Sequence, residues 1–171
     1  MIEFIIGGAR SGKSKLAEQT ARDSNKTVVY IATAQRWDSE MDDRIQRHRD
    51  TRPSEWETIE EPLALAQALK QQDTPNTVVL VDCLTLWVSN LLGEEEASRF
   101  EAEKKAFLTQ LQNTQHSDII LVTNETGLGV VPMGQLSRRF VDESGWLHQD
   151  IAQLAHRVTF VVAGLPHVLK Q

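Results

Sequence analysis

Gly7-Gly8-Ala9-Arg10-Ser11-Gly12-Lys13-Ser14 is the stretch of this sequence that decides the fold. It matches the pattern G-x-x-x-x-G-K-[ST], and it stands between an apolar run at residues 2–6 and a helical segment at residues 13–22. Glycines let the backbone curl so that its N–H groups face phosphate oxygens, and the helix N-terminus adds partial positive charge. The pattern predicts that Lys13 reaches the β- and γ-phosphates of a nucleotide and that Ser14 binds Mg²⁺. A plain glycine turn is the alternative, but a full match in this position favours nucleotide binding.

Apolar, β-rich runs alternate with helical segments along the whole chain, which indicates an α/β fold with a mostly parallel sheet flanked by helices. Strands are predicted at residues 2–6, 28–32, 77–81, 119–123 and 158–163. Helices are predicted at residues 13–22, 38–50, 62–71, with Pro62 in the first turn, 85–92 and 97–112. Residues 135–156 form one helix, or two with a break near Gly145. No repeat, low-complexity tract or linker is present, so residues 1–171 are expected to form a single P-loop domain.

Composition excludes several classes of protein. The chain of 171 residues carries a net charge of −6, which argues against a nucleic-acid partner. It has no apolar stretch of about 18–20 residues and is therefore not expected to be an integral membrane protein. The single cysteine, Cys83, cannot form an internal disulfide, and residues 1–6 do not resemble a signal peptide. We expect a cytoplasmic protein.

The apolar run at residues 78–81 ends in Asp82. An acidic residue at the end of such a strand holds the metal of the bound nucleotide, directly or through water. The same residue can also cap the helix that follows, and the two roles are compatible.

Residues 123–132 follow another predicted central strand and contain Asn124, Glu125 and two glycines. Ligand sites in open α/β sheets lie at the carboxyl edge, where this loop begins. A binding loop and a purely structural loop are equally compatible with this placement.

His48 has arginines on both sides, namely Arg44, Arg47, Arg49 and Arg52. A neutral imidazole can attack a phosphorus atom and form a covalent phosphoramidate. The arginines would neutralise a polyphosphate, and like-charge repulsion would favour the neutral imidazole. A solvated histidine on a charged helix is the plainer interpretation, and the residues alone leave both open.

Together these stretches resemble one family, the bifunctional adenosylcobinamide kinases/adenosylcobinamide-phosphate guanylyltransferases of cobalamin biosynthesis. The phosphate loop alone is not specific, whereas His48 in its arginine-rich setting and the loop at residues 124–132 are. The resemblance extends over the whole chain. It rests on residues 7–14, 30–34, 38–41, Arg44, Ile45, His48, Arg52, Pro53, Trp56, Thr58, Glu60, residues 82–85, 90–92 and 122–125, Gly127, Gly129, Val131 and Pro132.

The resemblance implies two reactions within a RecA-like fold and a homotrimer. ATP or GTP phosphorylates the aminopropanol hydroxyl of adenosylcobinamide, a corrinoid. GTP then guanylylates a histidine, and adenosylcobinamide phosphate takes the GMP to give adenosylcobinamide-GDP. By position, the guanylylated residue is His48, Lys13 serves the kinase step, and Mg²⁺ falls to Ser14 and Asp82. The nucleotide contacts fall on Gly7, Gly8, Ala9, Arg10, Ser11, Gly12, Lys13, Ser14, Ala32, Thr33, Ala34, Arg49, Asp50, Thr51, Arg52, Glu60 and Asp82.

The sequence departs from the family pattern Arg-x-Phe-Arg-Asp-x-x-Gly-x-x-Asn-Gln in the stretch 138–149. Val141 stands where the family has arginine, and His148 stands where it has asparagine. No substrate contact is therefore carried over to these two positions.

Two other functions compete with this interpretation. One is a RecA-like P-loop ATPase with a regulatory or nucleic-acid-linked role, which DNA-stimulated hydrolysis would reveal. The other is a small-molecule kinase in which His48 is structural, and such an enzyme would not retain GMP.

Overall fold

Strands and helices alternate in the computed structural model, which describes residues 1–35 and 53–171, and the predicted fold class is confirmed. The helix predicted at residues 38–50 lies outside the described residues. In chain order the elements are β1 (Ile2–Gly7), α1 (Lys13–Asp23), β2 (Thr27–Ala32), β3 (Glu57–Glu60), α2 (Leu65–Gln71), β4 (Thr77–Asp82), α3 (Leu84–Leu92), α4 (Ala97–Asn113), β5 (Asp118–Asn124), α5 (Gln135–Leu154), β6 (Arg157–Val162) and β7 (Leu165–Lys170).

The described strands form one sheet in the order β3-β2-β4-β5-β1-β6-β7. All neighbours from β3 to β6 pair in parallel, and β7 pairs antiparallel with β6 at the sheet edge. β1, β4 and β5 are central and read as near-continuous apolar runs, because a parallel sheet with helices on both faces buries both sides of each strand. The strand that leads into the phosphate loop therefore lies deep in the sheet.

Helices cover the two faces of the sheet unequally. The apolar residues of α1 pack with one set of strand side chains, among them Ile5 and Val122. Those of α2, α3, α4 and α5 pack with the alternate set, among them Phe4 and Leu121. Successive side chains of a strand point to opposite faces, so each central strand contributes to both cores.

The predicted start of α2 at Pro62 is wrong, since the helix begins at Leu65. The carboxylate of Glu61 accepts hydrogen bonds from the backbone N–H groups of Leu63 and Ala64, at 2.9 and 2.7 Å, and holds them in a turn. The carbonyls of Pro62 and Leu63 accept hydrogen bonds from α3 side chains instead of entering a helix. Tertiary contacts thus override the preference of proline for a first helical turn.

Two edge strands, β3 and β7, were not predicted from the sequence. β3 has four residues with a polar pattern, and β7 contains Pro166, whose missing N–H is tolerated at a sheet edge. β6 and β7 are joined by a two-residue turn in which Ala163 and Gly164 both have positive φ, 52° and 80°. An Ala-Gly pair is a weaker signal for such a turn than Asn-Gly.

α5 is one continuous helix of 20 residues, so the break considered near Gly145 does not occur. Its buried residues Glu143, Ser144, Leu147 and Ile151 lie on both sides of Gly145, and this packing outweighs the roughly 1 kcal/mol cost of a helical glycine. Among the described helices, none combines the length and the apolar character that a membrane span requires.

Candidate functional site

The parallel strands end at one edge of the sheet, and most of the predicted site residues of the described part lie there. In register, Ala32 lies between Glu60 on one side and Asp82 on the other. Gly7 pairs with Asn124. The sheet thus brings together the ends of five strands at its carboxyl edge, where α/β proteins bind ligands.

Residues 7–14 form a tight loop between β1 and α1. The N–H of Ser11 donates to the carbonyl oxygen of Gly8 at 3.2 Å, and Arg10 and Gly12 have positive φ, 57° and 96°. Gly12 occupies the N-cap position of α1 and offers no side chain to cap the first turn. The N–H groups of that turn are consequently available to an anion.

The phosphate loop packs closely against the end of β6 and against the turn between β6 and β7. A Cβ atom on Gly7 would lie 2.5 Å from the carbonyl oxygen of Val161 and 2.6 Å from Ser11 Oγ. A Cβ on Gly12 would lie 3.2 Å from the Cα of Gly164, whose N–H donates to the carbonyl oxygen of Ser11 at 2.8 Å. These two glycines are required by close approach, and Gly12 also by its φ.

Lys13 is buried, with 8% of its surface exposed, and its ammonium group stays inside the loop. Nζ donates to the carbonyl oxygen of Gly8 at 3.3 Å. This places a positive charge within the curve of the loop, where the motif requires it. Ser14 follows in the same helical turn and is half-buried, whereas Ala9 and Arg10 are exposed at the tip.

Asp82 ends β4 and is half-buried at the same edge. Its Oδ2 accepts a hydrogen bond from the hydroxyl of Tyr30 on β2 at 3.1 Å. Ser14 and Asp82 offer oxygen ligands, which suit a hard cation such as Mg²⁺. Residues 1–35 and 53–171 contain no group of three or more His, Cys, Asp or Glu side chains arranged to hold a metal.

Thr33 lies beneath this edge and is fully buried, although the resemblance placed it among the nucleotide contacts. Its hydroxyl donates to the carbonyl oxygen of Cys83 at 2.7 Å and accepts from the N–H of Cys83 at 3.0 Å. Asn90 donates to the carbonyl oxygen of Thr33 at 2.8 Å. The Thr33 side chain thus holds the residue after Asp82, while Ala32 and Ala34 are half-buried on either side.

Cys83, which follows Asp82, is a free and buried cysteine. Burial, followed by the negative charge of Asp82, raises the pKa of its thiol to about 11. The thiol is therefore protonated at neutral pH and is not a nucleophile.

A chain of polar side chains that the sequence did not predict lies below Asn124. The N–H of Asn124 donates to Thr85 Oγ1 at 2.7 Å, and Thr85 Oγ1 lies 3.3 Å from Thr123 Oγ1. Thr123 Oγ1 lies 3.0 Å from Nε2 of His148 on α5. Burial lowers the pKa of His148, against an opposing effect of Glu125. No local pattern marks these residues, because three separate elements contribute them.

The loop after β5 exposes an unusual number of large apolar side chains. Leu128, Val130 and Met133 are 81%, 96% and 95% exposed, and Val131 and Leu136 are also exposed. The loop begins beside the phosphate loop, since the N–H of Glu125 donates to the carbonyl oxygen of Gly7 at 3.0 Å. Apolar surface of this kind marks binding sites for ligands or for other protein copies.

The predicted site residues His48, Arg49, Asp50, Thr51 and Arg52 lie outside the described residues, so the structure does not test their placement. Glu60 is exposed at the end of β3, on the far side of β2 from Asp82.

Comparison with known proteins gives a consistent result. The family model described as "Cobinamide kinase / cobinamide phosphate guanyltransferase" matches residues 3–169. The chain is 56% identical over 170 residues to the bifunctional adenosylcobalamin biosynthesis protein CobP of Pseudomonas aeruginosa, covering 99% of this chain and 98% of that protein. It is 38% identical over 177 residues to the bifunctional adenosylcobalamin biosynthesis protein CobU of Escherichia coli, covering 96% and 97% of the two chains.

Among solved structures, the fold is similar to that of the RadB recombinase, with a TM-score of 0.50 and 14% identity over 93% of this chain and 73% of the other. A Pyrococcus horikoshii protein, PH0250, gives a TM-score of 0.58 and 11% identity over 99% and 86% of the two chains. These likenesses concern the fold alone. They confirm the RecA-like architecture and lend no support to a nucleic-acid-linked ATPase.

The close approach at Gly7 generates a matched pair of variants within the same loop. We expect Gly7→Ala to lower the free energy of unfolding by about 1–3 kcal/mol, because the backbone oxygen of Val161 must move. Gly8→Ala is the control, since nothing lies within 4 Å of its added Cβ, and its stability should stay within about 0.5 kcal/mol of wild type. Denaturant unfolding measures both. Equal stability of the two variants would contradict the packing described here.

Proposed function

Since this chain belongs to the cobinamide kinase / cobinamide phosphate guanyltransferase family, we propose that it phosphorylates adenosylcobinamide at the phosphate loop and then transfers GMP to the product through His48. The observation that carries the kinase step is the buried ammonium of Lys13, held inside the loop by the carbonyl oxygen of Gly8. ATP and GTP are the nucleotide substrates.

In the kinase step, the acceptor hydroxyl oxygen attacks the γ-phosphorus, and the bond from that phosphorus to the bridging oxygen breaks. The nucleoside diphosphate leaves, and the proton of the acceptor hydroxyl passes to water. Lys13 and the N–H groups of the first turn of α1 stabilise the negative charge of the transferring group. Lys13 is buried, so its charge acts in surroundings from which most water is excluded.

Ser14 and Asp82 are the residues that would hold Mg²⁺. When bound, Mg²⁺ neutralises charge on the phosphate oxygens. The hydrogen bond from Tyr30 fixes the carboxylate of Asp82 through Oδ2 and leaves Oδ1 for the cation or its water. Thr33 supports this arrangement from below, because its hydroxyl holds the backbone of Cys83.

In the second reaction, a ring nitrogen of His48 attacks the α-phosphorus of GTP and pyrophosphate leaves. A phosphate oxygen of adenosylcobinamide phosphate then attacks the same phosphorus, the P–N bond breaks, and the imidazole is regenerated. Arg49, Asp50, Thr51, Arg52 and Glu60 are proposed as nucleotide contacts. The support for these roles is the family resemblance and the arginine-rich setting of His48 in the sequence.

We further propose that the protein is a homotrimer. The exposed apolar side chains of residues 128–136 support an interface or an enclosed corrinoid site at this edge. Light scattering at micromolar concentration should give three times the chain mass of 19.3 kDa. A fully active monomer would refute the proposal.

A cytoplasmic location and the absence of a nucleic-acid partner stay predictions, supported by the single cysteine and by the net charge of −6.

Lys13→Ala tests the kinase role. We expect phosphorylation of adenosylcobinamide to be lost and nucleotide binding to weaken, because Lys13 places a positive charge inside the loop, beside the carbonyl oxygen of Gly8. Lys15→Ala, an exposed lysine two residues further along α1, is the matched control and should keep wild-type kinetics. Near-normal phosphorylation by a folded Lys13→Ala protein would remove Lys13 from the mechanism.

His48→Asn tests the guanylyltransferase role. With α-labelled GTP, the wild type should carry acid-labile GMP, and the variant should carry none while it keeps at least part of its kinase activity. His116→Asn, at an exposed position, is the matched control and should label normally. Label that persists in His48→Asn, or that maps by mass spectrometry to His116, His148, His156 or His167, would show that the assignment of His48 is wrong.

A further inference from the structure

In one arrangement of the protons, the hydrogen bonds below Asn124 run from its backbone N–H through two threonine hydroxyls to the ring of His148. The N–H of Asn124 can only donate, so Thr85 Oγ1 accepts there and its proton is free for Thr123 Oγ1. The Thr123 hydroxyl then donates to Nε2 of His148. This direction requires an imidazole without a proton on Nε2. Burial lowers the pKa of His148 and so favours a neutral imidazole, and the tautomer protonated on Nδ1 is the neutral form that this arrangement uses.

These hydrogen-bonded side chains lie directly beneath residues that contact the phosphate loop. Asn124 is in register with Gly7, and the N–H of Glu125 donates to the carbonyl oxygen of Gly7 at 3.0 Å. The Asn124 side-chain oxygen Oδ1 is buried and has no hydrogen-bond partner within the described residues. The last residue of β5 is thus held from below, while its own side chain has unused hydrogen-bonding capacity beside the loop.

Packing alone does not require a histidine at position 148. Its neighbours on the buried face of α5 include Leu147 and Ile151, and its ring lies over Phe4 with centroids 5.7 Å apart. An apolar side chain would fill such a place, but it would remove one of the two side-chain hydrogen-bond partners of Thr123, a fully buried residue.

We propose that His148 is a positioning residue of the phosphoryl-transfer site. It acts through Thr123 and Thr85 to hold Asn124 and Glu125, the residues at the end of β5, beside Gly7. The proposal rests on the kinase function proposed above. His148 itself contacts no substrate. The position requires a hydrogen-bond acceptor where Nε2 lies. If Asn124 and Glu125 are displaced, kcat should fall more than nucleotide binding changes.

Three variants on α5 test this proposal. His148→Leu removes the acceptor, His148→Asn replaces it with an amide oxygen, and Gln149→Leu is a control at the next, exposed position. We expect kcat for phosphorylation of adenosylcobinamide to fall about tenfold or more in His148→Leu, with nucleotide KM changed much less. His148→Asn should restore most of kcat, and Gln149→Leu should match wild type.

Titration gives a second readout that does not depend on His148→Leu folding. Protonated Nε2 cannot accept from Thr123, so wild-type kcat should fall on the acid side of the profile, and His148→Asn should lack that decline. Among the described residues, Glu125 is the charged group that opposes the effect of burial.

The stability of the folded protein should also fall at low pH. The folded-state pKa of His148 lies below its ordinary value of 6.5, so the contribution of the neutral ring is complete above that value. It is lost as pH falls toward the folded-state pKa. The stability of the wild type relative to His148→Asn should therefore decrease below about pH 6.5.

Full kcat in a folded His148→Leu protein would overturn the proposal, as would an acid decline that His148→Asn retains unchanged. Equal loss of kcat in both variants would overturn the acceptor role. Failure of the proposed function would look different, since wild type and Gln149→Leu would then also fail to phosphorylate adenosylcobinamide.

Discussion

The absence of a side chain at Gly7 is the constraint on which the site depends. The carbonyl oxygen of Val161 on β6 and Ser11 Oγ occupy the space that a Cβ would need. Because β1 can approach β6 so closely at its last residue, the loop turns back toward α1 and closes around the carbonyl oxygen of Gly8 and the ammonium of Lys13. The turn after β6 completes the support through the hydrogen bond from the N–H of Gly164 to Ser11.

The neighbouring strands extend this organisation across the carboxyl edge. β4 presents Asp82, which Tyr30 orients from β2, and β5 presents Asn124 beside Gly7. Threonine hydroxyls support both strand ends: Thr33 accepts from the N–H of Cys83, the residue after Asp82, and Thr85 accepts from the N–H of Asn124. The polar groups at this edge are thus supported by side chains that make their own hydrogen bonds within the protein.

Local patterns predicted the fold class, the central strands and the phosphate loop, because these depend on short-range periodicity and on glycine spacing. They failed where distant groups decide the structure. The carboxylate of Glu61 delays the start of α2, which no property of Pro62 itself reveals. The hydrogen bonds of Thr33 to Cys83, and the one between Thr123 and His148, each join elements far apart in sequence. His148 departs from the asparagine of the family pattern, yet both side chains can accept a hydrogen bond.

A structure of the protein with a non-hydrolysable GTP analogue and Mg²⁺ would test the central claim most directly. We expect Nζ of Lys13 to leave the carbonyl oxygen of Gly8, which lies 3.3 Å away without nucleotide, and to contact the β- and γ-phosphate oxygens. The phosphates should also accept hydrogen bonds from the backbone N–H groups of residues 10–14, with the cation near Ser14 and Asp82. A triphosphate bound elsewhere on the sheet edge, with Lys13 still on Gly8, would contradict the account.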